Sequence, residues 1–219
     1  MELIQDPHIG VLTPSETIDY KLIRGSYLYY HYFCDGINDS GWGCGYRTLQ
    51  TICSWITKQQ NDTNLYTSVL AKVPSIAEIQ KVLVEIGDKA ADFQGSHQWI
   101  GSVEVSYCLE YLYKVESRII HARSTEDLKK QFKSIFDHFQ EYGSPIMMGG
   151  DKDCSSKGIL GISKTKDDIC LLILDPHFYG HKISKERIQS DGWIKWQNIG
   201  SLHHSSFYNL CCPLIKAKF

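Results

Sequence analysis

Among the residues able to do chemistry, Cys44 has the most informative surroundings. In Asp39-Ser-Gly-Trp-Gly-Cys44-Gly-Tyr-Arg-Thr-Leu-Gln50 it lies between two glycines, directly ahead of a segment with helical spacing. After Tyr46, apolar residues recur at Leu49, Ile52, Cys53 and Ile56. Asp39 and Ser40 are of the types that form turns and caps. The spacing therefore predicts Cys44 at or near a helix N-terminus, where unpaired N–H groups and the helix dipole favour an anion. A thiol held there ionises more readily, and the thiolate is the nucleophile. Glycine on either side permits a sharp turn and the close approach of a substrate chain. Local sequence leaves a second reading open: most intracellular cysteines are buried and structural.

A nucleophilic thiol needs a base. Ile169-Cys-Leu-Leu-Ile-Leu174 is a continuous apolar run of the kind that forms a buried strand, and it ends in Asp175-Pro176-His177. On an extended backbone Asp175 and His177 project to the same side. Pro176 lacks an N–H and suits the end of a strand. A histidine so placed takes the thiol proton, and a carboxylate fixes its tautomer and steadies the imidazolium. The same tripeptide occurs at Asp6-Pro7-His8, with no long apolar strand before it. That copy reads as an ordinary turn. His177 is expected to matter and His8 is not.

Several elements are expected to frame these residues. Ser75-Ile-Ala-Glu78 is a capping box that opens a helix with Ile79, Val82, Leu83 and Ile86 on one face, stopped at Gly87. Ser102 is expected to cap a helix running through Tyr113. Ser124 is expected to start another, with Leu128, Phe132, Ile135, Phe136 and Phe139 as its apolar stripe. Lys58-Gln-Gln-Asn-Asp-Thr63 reads as a loop after the cysteine helix. Strands are expected from Pro145 to Gly149, from Gly158 to Ser163 and from Ile169 to Leu174, with Lys164 to Asp168 as a hairpin loop. Helices mainly first and strands mainly second argue for an α+β domain.

Composition narrows the class. A chain of 219 residues can bury one real core and is expected to form a single domain over 1–219. Its 42% hydrophobic and 22% charged content is that of a globular protein. A net charge of −2 gives no general attraction to nucleic acid or to an acidic membrane. No apolar stretch is long enough to span a bilayer. The start, Met-Glu-Leu-Ile-Gln-Asp, has no basic lead and no apolar run, so no signal peptide and a cytoplasmic location are expected. The eight cysteines are then expected as reduced thiols. None forms a Cys-x-x-Cys pair, so no metal site and no cofactor are expected.

Gly41-Trp-Gly-Cys-Gly-Tyr-Arg47 followed far downstream by Asp-Pro-His resembles the cysteine proteases specific for the ubiquitin-fold modifier, UFM. Autophagins share the Gly-Trp-Gly-Cys and Asp-Pro-His elements. Tyr30-His-Tyr-Phe-Cys-Asp-Gly36, Gln98-Trp-Ile-Gly-Ser102 with Glu104, Pro145-Ile-Met-Met-Gly-Gly150 and Ser206-Phe-Tyr-Asn-Leu-Cys-Cys-Pro213 are similar to segments of the UFM proteases. The resemblance implies a papain-like fold with the nucleophile heading a helix packed on a mainly antiparallel sheet. It implies Cys44 as nucleophile, His177 as base and Asp175 as its orienting partner. It also implies a role for Tyr32 in the oxyanion hole, which nothing in the spacing selects over Tyr27, Tyr29 or Tyr30. Trp42, beside the nucleophile, and Trp99, in a segment resembling the family's substrate side, are the candidate substrate contacts. Trp193 and Trp196 read equally well as core. One departure is Gly45, where many relatives carry alanine. The implied partners are the UFM precursor and UFM-conjugated proteins. An autophagin-like protease and a non-catalytic modifier-binding module remain the competing readings.

Overall fold

The computed structural model describes residues 3–61, 72–180 and 184–217. Two short strands, β1 (Ile4–Gln5) and β3 (Leu28–Tyr29), pair antiparallel ahead of the first helix, with β2 (Thr17–Leu22) between them in sequence. Helices α1 (Cys44–Asn61), α2 (Ile76–Glu85) and α3 (Ser102–Tyr113) follow. Then come β4 (Ser117–Ala122), α4 (Thr125–Lys130), α5 (Phe132–Glu141), β5 (Ile146–Gly150), β6 (Ser155–Thr165) and β7 (Ile169–Leu174). The order closes with α6 (Lys185–Ser190), β8 (Ile194–Asn198) and β9 (Tyr208–Pro213). A seven-stranded sheet runs β4-β9-β5-β6-β7-β8, and β2 pairs with the distal part of β6. Each of its pairings is antiparallel.

Both faces of this sheet are covered. The apolar run of β7 alternates across the pleat: Leu172 and Leu174 join one core cluster, Leu171 and Ile173 the other. The first cluster packs the sheet against Leu49, Ile52 and Ile56 of α1, with α2 and α3 beside them. The second packs it against Leu128 of α4 and against Ile135 and Phe139 of α5. A strand buried on both faces reads as a continuous hydrophobic run, which is why β7 was legible as one. The neighbouring cysteines of β9 divide likewise, Cys211 toward the first cluster and Cys212 toward the second. Two thiols on opposite faces of a sheet cannot share a metal ion.

Several expected elements shift. The box at Ser75 forms, with Glu78 N–H donating to Ser75 Oγ at 3.2 Å and Ser75 N–H to Glu78 Oε2 at 2.7 Å. Gly87, at φ +78°, ends that helix. Ser102 is the first residue of α3, not its cap: its hydroxyl donates instead to the Asn209 carbonyl at 2.8 Å and ties α3 to β9. The helix expected from Ser124 splits at Gln131 into α4 and α5. The first piece packs on β4 and the second on β2 and β6, and one straight helix cannot serve both. The polar stretch from Lys58 is helical to Asn61, since Lys and Gln are good helix formers and Gln59 is buried; Asp62 and Thr63 lie outside the described residues. β6 reaches Thr165, so its turn to β7 is tighter than expected and closes by Thr165 N–H donating to Asp168 O at 2.8 Å.

Candidate active site

β7 delivers its last residue, Leu174, into the core, and the chain leaves the sheet at Asp175. Asp175 N–H still donates to the Trp193 carbonyl at 2.8 Å, which keeps this exit extended. The Asp175 carboxylate then turns the chain back on itself. Its Oδ1 accepts His177 N–H at 3.0 Å and lies 2.5 Å from His177 Nδ1. Its Oδ2 is 3.6 Å from Lys157 Nζ on β6. The Asp175 carbonyl accepts the Tyr29 hydroxyl, and the Pro176 carbonyl accepts Tyr32 N–H at 3.0 Å. Histidine and carboxylate are thus fixed from the sheet, the preceding aromatic segment and the turn itself.

Cys44 is the first residue of α1 and is 6% exposed. Its thiol faces His177, the Ser156 backbone and Tyr32. Burial alone raises the Cys44 pKa, but hydrogen bonding to these groups and the positive charge of His177 outweigh it, and the net direction is downward. For His177 burial disfavours the charged ring; the bonds to Asp175 and Cys44 and their negative charges prevail and raise it to about 9. Asp175 is held below its ordinary value, because hydrogen bonds and charge from His177, with Lys157 behind, overcome its burial. These directions favour a thiolate–imidazolium pair at neutral pH. Tyr32 sits with its ring edge-on to His177, centroids 5.1 Å apart. Burial and the Cys44 charge push its phenol well above the ordinary value, so the hydroxyl stays neutral and able to donate.

Glycines set how closely the segments approach. Gly41 holds φ +85°, and a Cβ on Gly43 would stand 2.0 Å from Asp39 Oδ2. A Cβ on Gly45 would meet the Ile100 carbonyl oxygen at 2.4 Å, so the Trp99-Ile100-Gly101 loop packs directly on the α1 backbone. Gly45→Ala is expected to push that loop outward, lowering stability by about 1–3 kcal/mol as overpacking does. Thermal unfolding reads the effect, and an unaltered melting temperature would show that the loop yields freely.

A cleft of about 240 Å³ opens beside the thiol, lined by Cys44, Trp99 to Ser102, Gly149 to Asp151, Cys154 to Ser156, Phe207 and Asn209. The two candidate tryptophans part company here. Trp99 is 53% exposed, lines the cleft and donates Nε1–H to the Gly41 carbonyl at 3.1 Å. Trp42 is 9% exposed, stacks on His97 at 4.7 Å and belongs to the core, away from the cleft lining. Trp193 and Trp196 pack against the same core. The structure adds Ser156 and Lys157, which sequence reasoning missed because neither sits in a chemical motif. The second Asp-Pro-His stands apart: Asp6 accepts Tyr27 N–H at 2.8 Å, and His8 Nδ1 lies 3.1 Å from the Tyr27 hydroxyl. Among the described residues no group of three His, Cys, Asp or Glu side chains is placed to hold a metal ion, and no helix is long and apolar enough to cross a membrane.

Known proteins resemble this chain closely. The Ufm1-specific protease 1 of Mus musculus is 42% identical over 214 residues, covering 96% of this chain and 94% of its own length. The probable Ufm1-specific protease 1 of Drosophila melanogaster is 39% identical over 215 residues, covering 97% of this chain and 87% of its own. The crystal structure of UfSP from C. elegans superposes with a TM-score of 0.82 at 33% identity; it covers 99% of this chain, which spans 38% of that longer one. The resemblance seen in the motifs and the papain-like α+β fold are both borne out. The family model of peptidase family C78 matches residues 19–211, a span that contains Tyr32, Cys44, Asp175 and His177, and the chain belongs to that family of cysteine proteases.

Proposed function

We propose that this chain is a thiol protease and isopeptidase that cleaves after the C-terminal glycine of UFM, maturing its precursor and releasing it from conjugated proteins. The observation that carries the reading is the meeting of Cys44 with His177, whose Nδ1 lies 2.5 Å from Asp175 Oδ1. The names of the relatives, Ufm1-specific proteases, support the substrate. Cys44 Sγ attacks the glycine carbonyl carbon, and the carbonyl π pair moves onto oxygen. The Cys44 N–H and the Tyr32 hydroxyl hold that oxyanion. Because Nδ1 of His177 faces Asp175, Nε2 is the nitrogen left to protonate the departing amine. Collapse yields the amine and a thioester, which water, deprotonated by the same nitrogen, then hydrolyses. The leaving group is an α-amine in the precursor and a lysine ε-amine in a conjugate.

The cleft of about 240 Å³, with Trp99 on one wall, suits a slender tail ending in glycine. Residues 1–219 act as one catalytic domain without a cofactor, and the place of action is the cytoplasm. A UFM precursor and an autophagy-modifier precursor, cleaved side by side with Cys44→Ser as control, test the whole reading. Selective, Cys44-dependent trimming of the UFM precursor is expected. Cleavage of the autophagy precursor instead would keep the chemistry and overturn the substrate. A folded chain that cleaves neither would be a modifier-binding module.

A further inference from the structure

Arg47 lies on α1 three residues after Cys44, and its side chain has no exposure to solvent. A guanidinium in that position must be paired, and each of its three nitrogens is hydrogen-bonded. Nε donates to Asp39 Oδ2 at 2.7 Å. Nη1 and Nη2 grip both oxygens of Asp35 at 2.8 Å each, the bidentate fork that only arginine offers. Nη1 also donates to Gln50 Oε1 at 3.0 Å.

The significance lies in what Asp39 does with its remaining acceptors. Its Oδ1 takes Phe33 N–H at 2.8 Å, and Phe33 is held at φ +61°, a left-handed conformation uncommon for a bulky residue. Phe33 directly follows Tyr32. The Asp39 backbone carbonyl takes the N–H groups of Gly43 at 2.8 Å and Trp42 at 3.2 Å. Gly43 directly precedes Cys44. One buried residue, oriented by Arg47, therefore touches both arms that carry an oxyanion donor. The thiol itself is set by other groups: burial, His177, Ser156 and Tyr32.

We propose that Arg47 is the positioning residue of the oxyanion hole: through Asp39 it fixes the Tyr32 hydroxyl relative to the Cys44 backbone N–H. The proposal rests on the reading of Cys44 and Tyr32 given above. It separates two properties that a simple stabilising ion cluster would move together. Cleavage of an amide passes through an oxyanion. Alkylation of Cys44 by iodoacetamide does not, and reports only the thiolate.

The test uses the full chain with Arg47→Lys, which keeps the charge and loses the fork. Measured are kcat and KM on the modifier precursor, the pH profile of Cys44 alkylation, and thermal unfolding. The expected result is kcat lowered about 10²-fold, as a misplacement near 1 Å does, with KM unchanged and the alkylation profile moved no further than the slight upward shift that Tyr32→Phe gives. Adding Tyr32→Phe to Arg47→Lys is expected to cost little more, since both act on one donor. An unchanged kcat overturns the proposal. So does a parallel fall of kcat and alkylation, which marks general collapse of the site. If Arg47→Lys does not fold, Asp35→Asn takes its place, since Asp35 is at the rim with 34% of its side chain exposed. A smaller drop in kcat with intact alkylation supports the clamp there, and an unchanged kcat removes it. Wild-type chain that prefers an autophagy-modifier precursor overturns the substrate alone, and the clamp is then read on that precursor. Folded wild-type chain that cleaves neither removes both.

Discussion

His177→Ala is expected to lower kcat/KM for precursor cleavage by about 10²–10⁴-fold, the usual range for loss of a positioned acid–base group. The loss has two parts. Without the imidazolium nothing protonates the leaving amine. The thiol also loses the hydrogen bond and charge that oppose its burial, so its pKa rises and less thiolate exists at neutral pH. Alkylation separates the parts, because it needs the thiolate and no general acid. In the wild type, turnover rises with pH as Cys44 ionises, below the ordinary thiol value, and falls as His177 loses its proton near 9. In His177→Ala the alkylation curve moves to higher pH. His8→Ala, at the other Asp-Pro-His, leaves both measurements untouched. An alkylation curve that does not move in His177→Ala would remove the ion pair from the mechanism.

Tyr32→Phe comes next in size, with kcat lowered about 10²–10³-fold, the cost of one oxyanion donor. Phenylalanine keeps the ring edge that meets His177 and removes only the hydroxyl, so the base stays in place. KM should hold, because a ground-state carbonyl asks less of the donor than the oxyanion does. The hydroxyl also bonds the resting thiol, and its loss moves Cys44 ionisation slightly upward. That part is corrected by comparing kcat at a pH where both enzymes are fully ionised. A variant with wild-type kcat there would assign the oxyanion to other groups.

The chemistry of this site was unevenly legible in the sequence. Cys44 and the Asp175–His177 pair each carry a local signal, a helix start after glycine and the end of a strand buried on both faces. Tyr32 carries none of its own. Tyr27 and Tyr29 are wholly buried and Tyr32 is 4% exposed, so burial does not single Tyr32 out; only the fold, by bringing it against Cys44 and His177, does. That information lies in tertiary structure. Trp42 was a candidate substrate contact because it adjoins the nucleophile, yet in the fold its ring stacks on His97 after the turn at Gly41. Arg47 reads as one more polar residue on a helix until its carboxylate partners, on a loop, are folded against it. Of the elements, those with strong caps or continuous apolar runs were placed well. The break at Gln131 escaped notice because its cause is the direction of two different neighbours, not a residue type.

The thiols of this chain amount to a built-in clock of its opening. All eight are free, and Cys154 alone is exposed. Cys44 is activated at the cleft, whereas the other six are buried and hold their protons above the ordinary thiol value. Once Cys44 and the exposed Cys154 have reacted, each further label acquired by the native protein dates an excursion from the folded state. Because Cys211 and Cys212 lie back to back across one sheet, their relative rates tell which side of the molecule came apart first.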